Sequence, residues 1–146
     1  MKQMKQIQVR FEGKCSICSR RVTVGETALY YSSPRVRILI CHSCSRDGAG
    51  AATRSWMLKH LAEASMLIAR AADLLDDKQV RFAFSSTREK LLQGASIIEK
   101  TMERIHEITD DELVASIDNF IMNLERVIAP ARDILEFARR RGLVQS

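Results

Sequence analysis

Cys15-Ser16-Ile17-Cys18 and Cys41-His42-Ser43-Cys44 contain the chain's only four cysteines, with the 22 residues Ser19 to Ile40 between them. Two residues between cysteines let one tight turn aim both sulfurs at a single ion. Two such turns supply the four thiolates that a tetrahedral Zn²⁺ prefers. Cys15, Cys18, Cys41 and Cys44 therefore read as the ligands of one structural Zn²⁺, with no position left open for water and hence no chemistry at the metal. The rival reading is a pair of disulfides, which four cysteines allow in three connectivities. That reading needs an oxidising compartment. Met1-Lys2-Gln3-Met4-Lys5-Gln6 carries no apolar stretch of signal-peptide length, so an intracellular, cytoplasmic protein is expected.

Working outward from the cysteines, residues 1–50 read as short strands and turns. Ile7, Val9 and Phe11 alternate with Gln8, Arg10 and Glu12, which predicts a strand with three apolar residues on one face. Val22 and Val24 alternate before Gly25. Ala28 to Tyr31 and Arg35 to Ile40 form two further strand-like runs about Ser32-Ser33-Pro34. In the last run Val36, Ile38 and Ile40 share one face and Arg35, Arg37 and Leu39 the other, which predicts an arginine-bearing sheet surface beside Tyr30 and Tyr31. Gly48 and Gly50 then predict the end of any helical turn that carries the second cysteine pair.

Residues 51–146 read as helix almost throughout, so the expected fold is a small zinc-stabilised β-hairpin module, 1–50, followed by an all-α antiparallel helical bundle. Met57, Leu61, Ala64, Ile68, Ala71 and Leu75 make one stripe of a helix over about 51–77, interrupted by Asp76-Asp77-Lys78 and the β-favouring Val80, Phe82 and Phe84. Ser86 with Glu89 and Thr109 with Glu112 are capping boxes that predict two more helix starts. The second helix has the stripe Leu91, Ala95, Ile98, Met102 and Ile105. The third runs Leu113, Ile117, Phe120, Leu124, Val127, Ala131, Ile134 and Ala138. Pro130 predicts a kink near Arg126 to Ala129 or a new helix, and Arg139-Arg140-Arg141 before Gly142 predicts a C-terminus. The wide, alanine-bearing stripes predict a homodimer through the bundle. The apolar runs are too short to cross a membrane.

Net charge is +5, but residues 1–59 hold eleven Lys or Arg against Glu12, Glu26 and Asp47, while residues 60–146 hold twelve against fifteen acids. The cationic excess belongs to the cysteine module. Arg20, Arg21, Arg35, Arg37, Arg46 and Arg54 cluster about the predicted knuckles with Tyr30 and Tyr31 between them. Forked guanidinium groups and flat rings in that arrangement point to nucleic acid as the partner. The alternative is a protein adaptor, in which the tyrosines and Leu39 anchor an interface and the arginines meet an acidic surface.

The segment Cys15-Ser16-Ile17-Cys18, Ser33-Pro34-Arg35-Val36 and Ile40-Cys41-His42-Ser43-Cys44 resembles the four-cysteine treble-clef fingers, in particular the N-terminal zinc domain of the bacterial Clp unfoldase ATPase subunit. The resemblance covers about residues 13–47. It implies a first knuckle leading into a β-hairpin, a second pair at the start of a helix, and a small module that docks proteins. Ser19 stands where a glycine commonly follows the first pair, which leaves a zinc ribbon as the alternative. No phosphate-binding GxxxxGK[ST] loop occurs in the chain.

No residue pattern names a reaction, and the chain is expected not to be an enzyme. Glu103-Arg104-Ile105-His106 matches one Glu-x-x-His unit of a di-iron bundle, but the second unit is missing. His42, within the second pair, is expected to reach solvent because four cysteines already complete the site. Met57, Met66, Met102 and Met122 read as core filler.

Overall fold

A computed structural model describes residues 4–144 of the chain. The cysteine segment folds as five short strands: β1 Lys5–Gln8, β2 Gly13–Lys14, β3 Arg21–Val22, β4 Thr27–Ser32 and β5 Arg37–Cys41. β1, β4 and β5 form an antiparallel sheet with β4 in the centre, while β2 and β3 pair separately, Gly13 opposite Val22 and Lys14 opposite Arg21. The predicted strand through Phe11 stops at Gln8. Beyond it Val9 is buried, but Phe11 is 85 % exposed, so the three apolar residues do not share one covered face.

Cross-strand register sets the two faces of the sheet. Lys5 lies opposite Tyr30 and Tyr30 opposite Leu39; Ile7 lies opposite Ala28 and Ala28 opposite Cys41. Residues two apart project to the same side, so these six share one face. Tyr31, Ile38 and Ile40 project to the other and are buried. Adjacent tyrosines in a strand cannot both join the arginine-bearing face, and Tyr31 is the one taken into the core. Burial, followed by the neighbouring Asp118 carboxylate, raises the pKa of its phenol.

Among the described residues five helices follow: α1 Ala49–Leu74, α2 Lys78–Ala83, α3 Thr87–Glu107, α4 Asp110–Ala115 and α5 Ile117–Arg140. Among the described residues no helix is long and apolar enough to cross a membrane. The turn that carries the second cysteine pair ends at Gly48, φ 100°, as expected, and α1 starts just beyond it, taking in Gly50. The β-favouring run at 78–83 is itself a helical turn and a half, started by the Asp77 side chain accepting from the Gln79 and Val80 N–H groups. The α3 start agrees with the Ser86 signal. Thr109 is indeed an N-cap, but its side chain makes no capping hydrogen bond. The predicted third helix breaks at Ser116, not at Pro130, which lies inside α5. At the far end Gly142 adopts φ 71°, and the Leu143 N–H returns to the Ala138 carbonyl at 2.8 Å, closing the C-terminus as expected. Arg139 and Arg140 pair with Glu136, and Arg141 lies over the Phe137 ring at 5.0 Å, so the basic trio serves its own helix end.

The chain forms two compact units. One comprises the residues up to Lys59 with Arg104–Met122, the other His60–Glu103 with the residues from Asn123 on. Within the first unit the start of α1 is fastened to the cysteine segment. Lys59 Nζ donates to the Ser16 carbonyl at 3.1 Å. The first unit also buries Trp56, whose ring meets Phe120 with centroids 5.7 Å apart. Its helices close tightly over Gly50: a Cβ there would stand 2.2 Å from that of Asp110. Arg54 completes this corner by donating to the carbonyls of Ile105 at 3.1 Å and Ile108 at 2.7 Å, at the C-terminal end of α3, and by pairing with Asp110 at 3.1 Å.

The second unit has its core in the stripes read from sequence, with one shift. Leu61, Ala64, Ile68, Ala71, Leu91, Ile98, Leu124, Ala131, Ile134 and Ala138 are buried, but Ala95 is exposed and Gly94 takes its place. A Cβ on Gly94 would touch Ile68 and Val127 at 3.2 Å, so a residue without a side chain lets α1 and α5 approach α3. Met57 is buried as expected, whereas Met66 is 66 % exposed.

Candidate metal centre

The four sulfurs of Cys15, Cys18, Cys41 and Cys44 lie within 4.8 Å of one another, and among the described residues they are the one cluster of this kind. The first knuckle is the turn between β2 and β3. Ser19 N–H donates to the Cys15 carbonyl at 3.0 Å, and Cys15 N–H donates to the Arg20 carbonyl at 2.8 Å. The second knuckle leaves β5 at Cys41, where Ser45 N–H donates to the Cys41 carbonyl at 3.0 Å. Ser16 joins the two: its N–H donates to the Leu39 carbonyl at 2.6 Å, and its hydroxyl accepts from the Leu39 N–H at 3.1 Å. That bridge brings residues 23 apart in sequence within reach of one ion. The Cys18 and Cys41 sulfurs stand 3.7 Å apart.

The backbone prepares the sulfurs for a cation. Ile17 N–H and Cys41 N–H both donate to Cys15 Sγ, each at 3.4 Å. Burial opposes ionisation of Cys15, but these donors and Cys18 outweigh it and bring its thiol from 9.0 down to about 6. Cys44 is pushed up to about 12, first by burial and then by the crowding of the other three sulfurs. A divalent ion at the centre would reverse that penalty, since its charge would stabilise all four thiolates together. Arg20 adds positive charge at the rim. Its guanidinium lies against the Cys41 sulfur and pairs with Glu26 at 3.3 Å, and both contacts raise its pKa. Glu26 is itself held by the Thr23 N–H at 2.8 Å.

Ser19 occupies φ 66°, the left-handed conformation that glycine adopts without cost. An L side chain there costs about 1–2 kcal/mol. Ser19→Gly is therefore expected to stabilise the metal-loaded protein by about 0.5–1 kcal/mol after glycine's own entropy is subtracted. A higher urea midpoint checks this; a lower one rejects it.

The residues read from sequence as a binding surface separate into two groups. Arg21 pairs with Glu12 at 3.0 Å, Arg20 serves the sulfurs and Glu26, Arg54 ties helix ends together, and Tyr31 is in the core. Arg35, Arg37 and Arg46 are exposed and, among the described residues, make no side-chain hydrogen bond or ion pair; Tyr30 is half-buried on the outer sheet face. His42 is exposed, as are Glu103 and His106 on α3. Sequence reasoning passed over Phe11, Val24 and Arg10, which line a groove together with Ile7, Tyr30, Arg37 and Leu39. The overlooked signal was a phenylalanine two residues before Gly13, just where the strand pattern ends. Ser16 and Lys59 were also passed over, because their roles depend on backbone geometry.

Comparison with models of protein families, with curated proteins and with solved structures finds no match to this chain.

Proposed function

We propose that the four cysteines hold one structural Zn²⁺ and that the basic module it stabilises binds nucleic acid without catalysing a reaction. The ion's identity rests on donor set and size. Thiolates about 2.3 Å from a tetrahedral zinc lie about 3.8 Å from each other, and Cys18 and Cys41 are 3.7 Å apart. Four soft sulfurs with a complete tetrahedron favour zinc over hard, oxygen-seeking cations. The order of parts, a knuckle, the β4–β5 hairpin, a second knuckle and then α1, supports a treble clef more than a ribbon.

Nucleic-acid binding rests on the observation that Arg10, Arg35, Arg37 and Arg46 are exposed and, among the described residues, without acidic partners, while Arg20, Arg21 and Arg54 are engaged. A lone cation usually solvates a surface, but four within residues 1–59, which keep a net charge of about +6 once four thiolates hold Zn²⁺, draw a polyanion. Elemental analysis should return one zinc per chain. Oligonucleotide affinity should fall about a hundredfold between 50 and 200 mM salt if about four phosphates are neutralised, and Arg46→Gln should reduce the salt slope by about one. Zinc absent at stoichiometry, or binding indifferent to salt, rejects the proposal.

A further inference from the structure

We propose that the groove over the outer face of the β1–β4–β5 sheet takes a short single-stranded segment of nucleic acid, with bases against Phe11 and Tyr30 and phosphates at Arg10 and Arg37. This inference rests on the nucleic-acid reading above and names the form of nucleic acid.

One face of the sheet serves two purposes. Its Ala28–Cys41 end is closed by the small core of Val9, Cys15 and Val22. At its other end Tyr30 and Leu39 are half-covered, and beside them Phe11 and Val24 stand 85 % and 66 % exposed. A single exposed apolar residue needs no explanation, but here Ile7, Phe11, Val24, Tyr30 and Leu39 line one groove. Two cations, Arg10 and Arg37, line it with them. Glu12 is the one acid among its described lining residues, and its charge is answered by Arg21 at 3.0 Å. The groove therefore combines aromatic faces with unopposed guanidinium groups.

That combination distinguishes a single strand from a duplex. A duplex keeps its base faces stacked inside and presents phosphates, so exposed apolar side chains would be set against charge. An unpaired strand offers both a ring face to Phe11 or Tyr30 and a phosphate to each arginine. An acidic peptide would satisfy the arginines, but rings between its charges are not a regular feature of it, whereas every nucleotide carries both a base and a phosphate.

The test is fluorescence anisotropy of the full-length, zinc-loaded protein with a labelled 12-nucleotide thymidine strand and with a 12-base-pair duplex. Single-strand affinity is expected to exceed duplex affinity by about tenfold or more. Phe11→Ala, a change at an exposed side chain, should weaken the single strand by about five- to a hundredfold while leaving its salt slope unchanged. Arg37→Gln should lower that slope by about one. Duplex binding equal to or tighter than single-strand binding, or an unchanged affinity in Phe11→Ala, overturns the groove inference, and salt-dependent duplex binding would then leave the broader proposal standing. Failure of both probes to bind removes both. Displacement of the strand by an equal concentration of a peptide of alternating Asp and Phe assigns the groove to a protein partner and likewise overturns the inference.

Discussion

Stripping the proposed zinc with a chelator is expected to unfold the cysteine segment, the largest single effect open to this protein. Structural zinc of this kind contributes an apparent 10–16 kcal/mol or so, against about 5–15 kcal/mol for the whole stability of an ordinary domain. On the cysteine side of the sheet the apolar cluster it would leave behind is small: Val9, Val22 and Ala28, with the now unmetallated Cys15 and Cys41. Cys41→Ser should act in the same direction, since it removes a buried ligand and breaks the 3.7 Å contact with Cys18. Hydrogen exchange resolves the outcome by segment. Amides of residues 9–44 should lose protection on chelation, whereas those of buried α5 positions such as Ala131 and Ile134 should keep theirs. Unchanged protection across 9–44 would mean that the strands stand without the metal.

Acid should act like the chelator, and the sign follows from Cys15. Backbone donors, opposed by burial, bring its folded pKa from 9.0 down to about 6. Its thiolate therefore contributes fully above about 9 and loses that contribution as pH falls through about 6. Bound metal competes with those protons and moves the loss further toward acid.

Gly50→Val is expected to destabilise the first unit by about 3 kcal/mol, the upper part of the range for overpacking. A Cβ at this position lies 2.2 Å from Asp110 Cβ and 2.3 Å from its Cγ, atoms too near the backbone to swing aside. Asp110 cannot move far without giving up its pair with Arg54, which also holds the Ile105 and Ile108 carbonyls. Gly50→Ala sharpens the test because two effects oppose each other. Helix propensity alone promises a gain, smaller than the roughly 1 kcal/mol of a helix interior because Gly50 lies in the first turn of α1, whereas the contact predicts a net loss. Urea midpoints of the zinc-loaded variants decide between them, and a more stable Gly50→Ala would refute the close contact.

Gly50 also shows where sequence reading fails. Glycine carries one local meaning, a break, and that meaning was assigned to Gly48 and Gly50 alike. The structure uses Gly50 as the point where α1 and α4 touch, a fact about two segments 60 residues apart. Gly94 repeats the lesson, taking the buried position that the stripe had assigned to Ala95. The run at Val80 failed for a different reason: Asp77 caps two N–H groups and starts a short helix despite β-favouring side chains. Pro130 stayed within α5, and Ser116 instead supplied the break. The binding surface was the least legible part. An arginine in sequence is only a cation, and its acid partner or helix-end carbonyl appears when the chain closes.

From its order of residues alone the chain specifies four sulfurs in two turns, strands before helices, and the apolar stripes of α1 and α5. These are local matters of spacing and period, settled within a few turns of backbone. Which tyrosine faces outward, which arginines stay available, and where glycine means contact instead of a break depend on neighbours far away in sequence. Burial and ion pairing belong to pairs of segments, and they exist once those segments have met.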